Sequence, residues 1–137
     1  MRRPLQLAAL LVLLGSSCSK VSGPSDTVRQ GVWGGDGIQM TVTATGASID
    51  YGCDAGTVDE PLTFDLNERF SLQGTYAFGR GGPREAGDPP SKLHAARYEG
   101  TSDGRRLTLT VVLPDLARMA GEYRLEFGRQ GSLDRCL

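Results

Sequence analysis

Residues 38–53 constrain the chain more than any other stretch. Ile38, Met40, Val42 and Ala44 fall on alternate positions, and after Gly46 the alternation resumes with Ala47, Ile49, Tyr51 and Cys53. A period of two places side chains on one face of an extended chain. A two-residue turn at Thr45-Gly46 pairs Ala44 with Ala47, Val42 with Ile49, Met40 with Tyr51 and Ile38 with Cys53. In that register every apolar side chain of both strands shares a face, and a slip by one residue scatters them. Gly46 supplies the positive φ that such turns need.

The same pattern recurs downstream. Leu62, Phe64 and Leu66 alternate, and after Asn67-Glu68-Arg69 so do Phe70, Leu72, Tyr76 and Phe78. This predicts a second hairpin with Leu66 opposite Phe70 and Phe64 opposite Leu72, and a bulge or sharp bend at Gly74. Residues 54–61 read as an acidic turn. Its Asp54, Asp59 and Glu60 are of the type that holds calcium, but their spacing fits no EF-hand loop, and a solvated turn accounts for them. Residues 93–99 and 105–113 form a third hairpin about Asp103-Gly104, with Tyr98 opposite Leu109, Ala96 opposite Val111 and His94 opposite Leu113. Residues 114–121 have room for one helical turn. Tyr123, Leu125 and Phe127 make a further strand, and residues 133–137 carry Cys136 to the end.

Seven to eight short strands in hairpin order predict an all-β domain. The 19 Gly and 7 Pro suit its turns and oppose long helices. A small antiparallel up-and-down barrel leaves no sticky edge; a β-sandwich is the alternative.

The chain begins Met1-Arg2-Arg3, continues through an apolar run from Leu5 to Leu14, and then reads Gly15-Ser16-Ser17-Cys18. A charged start, a short apolar core and a small-residue exit make residues 1–17 a secretory signal peptide. The run is far shorter than the roughly 20 residues of a membrane-spanning helix. Leu14-Gly15-Ser16-Ser17-Cys18 resembles the lipobox of bacterial lipoproteins, with Gly15 at the position commonly held by Leu. The resemblance implies cleavage before Cys18 and acylation of that residue. It places the protein in the bacterial cell envelope, anchored to the membrane by lipid; a soluble secreted or periplasmic form is the alternative. Residues 18–30 then form the lipidated Cys and a polar tether containing Gly23-Pro24, and residues 31–137 one β domain.

Three cysteines are an odd number for a secreted chain. With Cys18 lipidated, Cys53 and Cys136 remain, and an oxidising envelope lets them form a disulfide. Two thiols and a single distant His make no metal set, and neither a metal nor another cofactor is expected.

No catalytic motif stands out. His94 is the sole His and the natural general base, but no Ser or Cys motif announces a nucleophile, and a core or rim position explains it. Asp50 and Asp54 are the acids an enzyme would pair, yet scattered carboxylates are ordinary on a β surface. The glycines of Gly31-Val32-Trp33-Gly34-Gly35-Asp36-Gly37 lack the phosphate-loop pattern. The chain carries 15 Lys and Arg against 16 Asp and Glu, without a basic stripe, so nucleic acid is not an expected partner.

Candidate binding residues fall in two places. Trp33 is a core plug or an exposed platform. Residues 79–91 form the one long loop, a recognition loop or a mobile connector, where Arg80, Arg84 and neighbouring Lys92 suit carboxylate or phosphate groups. The sequence thus reads as a membrane-tethered, non-enzymatic binding or structural module whose partner, a protein or a small ligand, it does not name. Carriage of a ligand inside the barrel would need an empty interior. The alternative is a protein inhibitor of an envelope-attacking hydrolase such as lysozyme. Tyr51-Gly52-Cys53-Asp54 with Cys136 is similar to the membrane-bound lysozyme inhibitors, small β-barrel lipoproteins, and Ala96-Arg97-Tyr98 matches part of their Ser-Gly-x-x-Tyr inhibitory motif.

Overall fold

Alternating strands with one apolar face must either stack on a second sheet or curl round on themselves, and this chain curls. The computed structural model describes residues 26–79, 85–87 and 89–136. Eight strands follow in order: β1 Gly31–Gly35, β2 Ile38–Val42, β3 Ala47–Asp50, β4 Ala55–Val58, β5 Arg69–Ala77, β6 Leu93–Ser102, β7 Arg106–Leu113 and β8 Arg118–Phe127. Each pairs antiparallel with its neighbour in sequence, and β8 returns to β1, so the sheet is a closed up-and-down barrel and not a sandwich. The closing seam is short, Trp33 opposite Phe127 and Gly34 opposite Glu126. A single 3-10 turn, Pro114–Leu116, joins β7 to β8.

The inner faces fill the barrel. Trp33, Met40, Tyr98, Leu109 and Val111 are among the side chains that water does not reach. Each such burial contributes about 1.5–3 kcal/mol against conformational entropy. Among the described residues these side chains occupy the interior that a carried ligand would need.

Two hairpins take a register two residues away from the expected one. In β2–β3, Val42 faces Ala47 and Met40 faces Ile49. In β6–β7, Tyr98 faces Val111 and Gly100 faces Leu109. A shift by two keeps each side chain on its own face, so the apolar pattern cannot distinguish the registers. Turn chemistry decides. Thr43 N–H donates to the Gly46 carbonyl at 2.8 Å, making Ala44-Thr45 the turn centre, and the Thr43 hydroxyl donates to the same carbonyl at 3.2 Å. Gly46 is not at positive φ; it is glycine because a Cβ there would strike the Val58 carbonyl. In the other hairpin, Asp103 Oδ1 accepts from the N–H groups of Arg105 at 2.9 Å and Arg106 at 2.7 Å, which centres the turn on Gly104-Arg105. Those donors hold the Asp103 carboxyl below its usual range.

The expected hairpin of residues 62–72 does not form. The partner of β5 is β4, inside the stretch read as an acidic turn: Val58 faces Gly74 and Gly56 faces Tyr76. With Gly56 and Val58 its only inward residues, β4 carries too little apolar surface to show alternation. No bulge falls at Gly74, which is paired on both sides; the irregularity lies between Val111 and Val112 on β7, against β8. Leu66 is fully exposed, near the tip of a turn in which Asp65 N–H donates to the Arg69 carbonyl at 2.7 Å.

Leu62 and Phe64 serve instead to receive the incoming chain. Thr27 bridges Thr63. Val28 N–H donates to Leu62 O and Phe64 N–H to Asp26 O, both at 2.8 Å. Val28 and Leu62 are 2% and 3% exposed and plug this end of the barrel. The folded domain therefore includes residues 26–30, which the sequence reading placed in the tether. This is the entry end; the opposite end carries the connections 51–54, 78–92 and 114–117.

After β8 the chain is not a further strand. It passes along the ends of β1 to β3, where Ser132 bridges Asp36 and Gly131 N–H donates to Gln39 Oε1 at 3.1 Å. It ends in the Cys53–Cys136 disulfide, with Cα atoms 5.1 Å apart, within the normal span. Cys53 lies in the turn after β3 and not opposite Ile38.

Candidate binding surface

The end of the barrel away from the chain entry is lined by aromatic side chains from five connections and strands. Tyr51 stacks tilted against Tyr76 at 5.1 Å and Tyr123 at 5.6 Å. Phe78 stands edge-on between Tyr76 and His94, 5.1 and 5.3 Å from them. The Arg118 guanidinium lies over the Phe78 ring at 5.1 Å. His94 Nδ1 is 3.0 Å from Asp115 Oδ2 in the 3-10 turn. This contact with His94 holds the Asp115 carboxyl below its usual range, with help from the Lys92 charge. His94 is thus a rim residue that fastens the β7–β8 connection to β6.

The carboxylates here are occupied with structure. Asp54 Oδ2 accepts the Tyr76 hydroxyl at 2.5 Å, and its Oδ1 accepts the Gly79 N–H at 2.8 Å, closing the base of the 78–92 connection. Asp50 accepts the Gly52 N–H at 2.7 Å and meets Arg135 at 3.5 Å. At the entry end, Asp59 accepts the Thr57 hydroxyl at 2.7 Å. Among the described residues no three metal-ligating side chains gather. Burial pushes up the hydroxyls of all four tyrosines, that of Tyr98 to about 12.

The residues singled out from sequence divide clearly. Trp33 is 0% exposed; its Nε1 donates to the Arg29 carbonyl at 2.8 Å, and its ring meets Phe127 edge-on at 5.2 Å. The reading of Trp33 as a binding platform is overturned, since no face of it reaches solvent. Lys92 is exposed directly before β6, beside Asp115. Cys18, Arg80 and Arg84 lie outside the described residues. Tyr98, which ends the stretch similar to the lysozyme inhibitors' motif, points into the barrel and donates its hydroxyl to the Thr75 carbonyl at 2.6 Å.

No family model, curated protein or solved structure matches this chain. The site must be argued from its surface. Among the described residues four large apolar side chains are exposed: Leu66, Leu93 at 65%, Leu116 at 42% and Met119 at 58%. Three of these four belong to the far end. Leu93 opens β6 and faces Ala77 of β5. Leu116 ends the 3-10 turn packed beside β6. Met119 faces Val112, which in turn faces Arg97.

Sequence reasoning passed over Leu116, Arg118 and Met119, for a physical reason. By parity with Tyr123 and Leu125, Met119 belongs inside the barrel. The irregularity in β7–β8 sets Val111 opposite Gly121 but Val112 opposite Met119, leaving Ala120 as the extra residue. A bulge of this kind reverses which face a side chain takes. It turns Met119 outward, and nothing in the local sequence announces it.

Proposed function

We propose that this chain is a lipid-tethered protein of the bacterial cell envelope and that its barrel is a non-enzymatic binding module. The leader and the small residues before Cys18 support the tether. One observation carries the binding reading: the exposed Leu93, Leu116 and Met119 all belong to the end opposite the one where the tether enters. Apolar side chains clustered on an otherwise polar surface mark interaction sites. The filled interior leaves the surface as the place to bind.

Fractionation tests the tether. The wild-type chain should sediment with membranes and yield an acylated Cys18 terminus by mass spectrometry, whereas Cys18→Ser should leave the membrane fraction. A soluble wild-type protein with unmodified Cys18 would overturn it. The alternative, inhibition of an envelope-attacking hydrolase, has the Cys53–Cys136 bridge in its favour but finds Tyr98 inside the barrel. A lysozyme activity assay with added protein should show no inhibition.

A further inference from the structure

We infer that residues 128–136 are a latch on the seam between β1 and β8, and that breaking the Cys53–Cys136 bond lets this seam open while the rest of the barrel stays folded. The latch depends neither on the tether nor on what the barrel binds. The seam is where the sheet is held least. β1 and β8 pair at Trp33–Phe127 and Gly34–Glu126, and one further bond runs from the Gly128 N–H to the Val32 carbonyl at 2.7 Å. By contrast, β5 and β6 pair continuously from Arg69–Thr101 to Ala77–Leu93.

The chain leaving β8 doubles back as a strap over β1. Ser132 N–H donates to the Gly35 carbonyl at 3.1 Å, and the Ser132 carbonyl accepts the Gly37 N–H at 2.8 Å. Three glycines let the strap lie directly on backbone. A Cβ on Gly34 would strike the Arg129 carbonyl, one on Gly131 the Ile38 carbonyl, and one on Gly52 the Asp134 carbonyl. β1 is thus bonded to β8 at the seam and covered by the strap beside it.

Little besides the bridge fixes the end of this strap. Leu133 is the one aliphatic side chain in residues 128–136, and it is half-buried, so burial contributes little. The Arg129–Asp36 and Arg135–Asp50 contacts, at 3.3 and 3.5 Å, join exposed groups, and such pairs are weak. Its hydrogen bonds each make a modest net contribution. The Cys53–Cys136 bond ties it to the turn after β3. Cys53 is exposed, so a small dithiol reaches it. A thiolate of the dithiol attacks one sulfur and the Cys53–Cys136 bond breaks. Two electrons and two protons end on the cysteines as thiols, and the dithiol closes into its own disulfide. The freed strap frays from Cys136 back toward Gly128 and leaves β1 held by the short seam. Trp33 and Phe127 meet there at 5.2 Å, so opening reaches Trp33.

The test uses the full chain in detergent, isotopically labelled, with and without dithiothreitol. Reduction should speed amide exchange at Gly34, Glu126 and Gly128 by about tenfold or more, as a local opening does, while Leu72 and Tyr98 on β5 and β6 keep their rates. Acrylamide quenching of Trp33, the sole Trp, should rise with it. The double variant C53S/C136S should reproduce both effects without reductant. Gly34→Ala, which displaces the strap and leaves the bridge in place, should also speed exchange at Glu126 and Gly128. Seam rates unchanged by reduction or by Gly34→Ala would overturn the inference. So would a rise at Leu72 and Tyr98 equal to that at the seam, which would make the bridge a staple of the whole barrel. A bridge that dithiothreitol leaves intact in the folded chain would overturn it as well.

Discussion

The Tyr98 ring lies directly against Gly74: its Cε2 is 3.0 Å from where a Cβ on that glycine would stand. Gly56 makes room for the same residue, since a Cβ there would collide with the Tyr98 hydroxyl. Gly56 is thus the complement of one large side chain on β6, whereas at Gly74 a Cβ would strike the Thr57 carbonyl of β4 before it reached the ring. Gly74→Ala should destabilise the domain by about 1–3 kcal/mol through overpacking, read as a lower midpoint in urea unfolding. An unchanged midpoint would mean that the β4 backbone at Thr57, as well as the ring, moves aside freely.

Two tyrosine hydroxyls predict opposite outcomes for the same substitution. Tyr98 donates to the Thr75 carbonyl at 2.6 Å, whereas the Tyr51 hydroxyl is buried without a hydrogen-bond partner among the described residues. Tyr98→Phe should cost about 1 kcal/mol, and Tyr51→Phe should be neutral or stabilising, because it removes an unsatisfied polar group. Paired urea titrations of the two variants check the sign.

All four tyrosines titrate above the ordinary value of 10.0, each chiefly through burial. Next to burial, Tyr51 is affected by Tyr98, and Tyr76 by its hydrogen bond to Asp54. A folded pKa above the unfolded one contributes stability that is complete below pH 10.0 and falls as pH rises through the folded value, about 12 for Tyr98. Tyrosinate absorbance should therefore be absent at pH values just above 10 and should rise together with the loss of the β circular-dichroism signal. Tyrosine ionisation in a chain that keeps its β signal would contradict this.

The His94–Asp115 contact makes a prediction at acid pH. Asp115 is lowered from 3.8, first by its hydrogen bond to His94. Its contribution to stability is present above 3.8 and lost as pH falls through the lowered folded value. His94→Phe keeps a ring beside Phe78 and should return Asp115 most of the way to 3.8, as followed by carboxyl NMR. An Asp115 titration unmoved by the substitution would assign the shift to another cause.

The Cys53–Cys136 bridge spans 83 positions and holds the final segment across the ends of β1 to β3. On the chain-entropy account Cys136→Ser should cost about 4 kcal/mol. Hydrogen exchange should then rise first at Gly131 and Ser132, whose N–H groups meet Gln39 and Gly35. Exchange unchanged in this segment would show that its hydrogen bonds hold it without the bridge.

The faces of the strands were legible in the sequence, because a period of two survives any even shift of register. Ile38, Met40, Val42, Ala47 and Ile49 are inside as the alternation requires. The registers were not, since Val42 opposite Ala47 and Val42 opposite Ile49 bury the same atoms, and only the turn hydrogen bonds of Thr43 and Asp103 separate the choices. Nor was β4 legible, because its inner face needs a glycine where Tyr98 arrives from a strand about 40 residues away.

By itself, then, the sequence determined an all-β chain in hairpin order, an apolar face for most strands and the pairing of its last two cysteines, all consequences of local period and residue count. Only the tertiary structure decided closure into a barrel, the burial of Trp33, the docking of Val28 under Leu62 and the outward turn of Met119. Each of these depends on residues far apart in the chain, or on a bulge that changes which face a side chain takes. The candidate surface belongs to this second group, because exposure is a property of the closed barrel and not of any one strand.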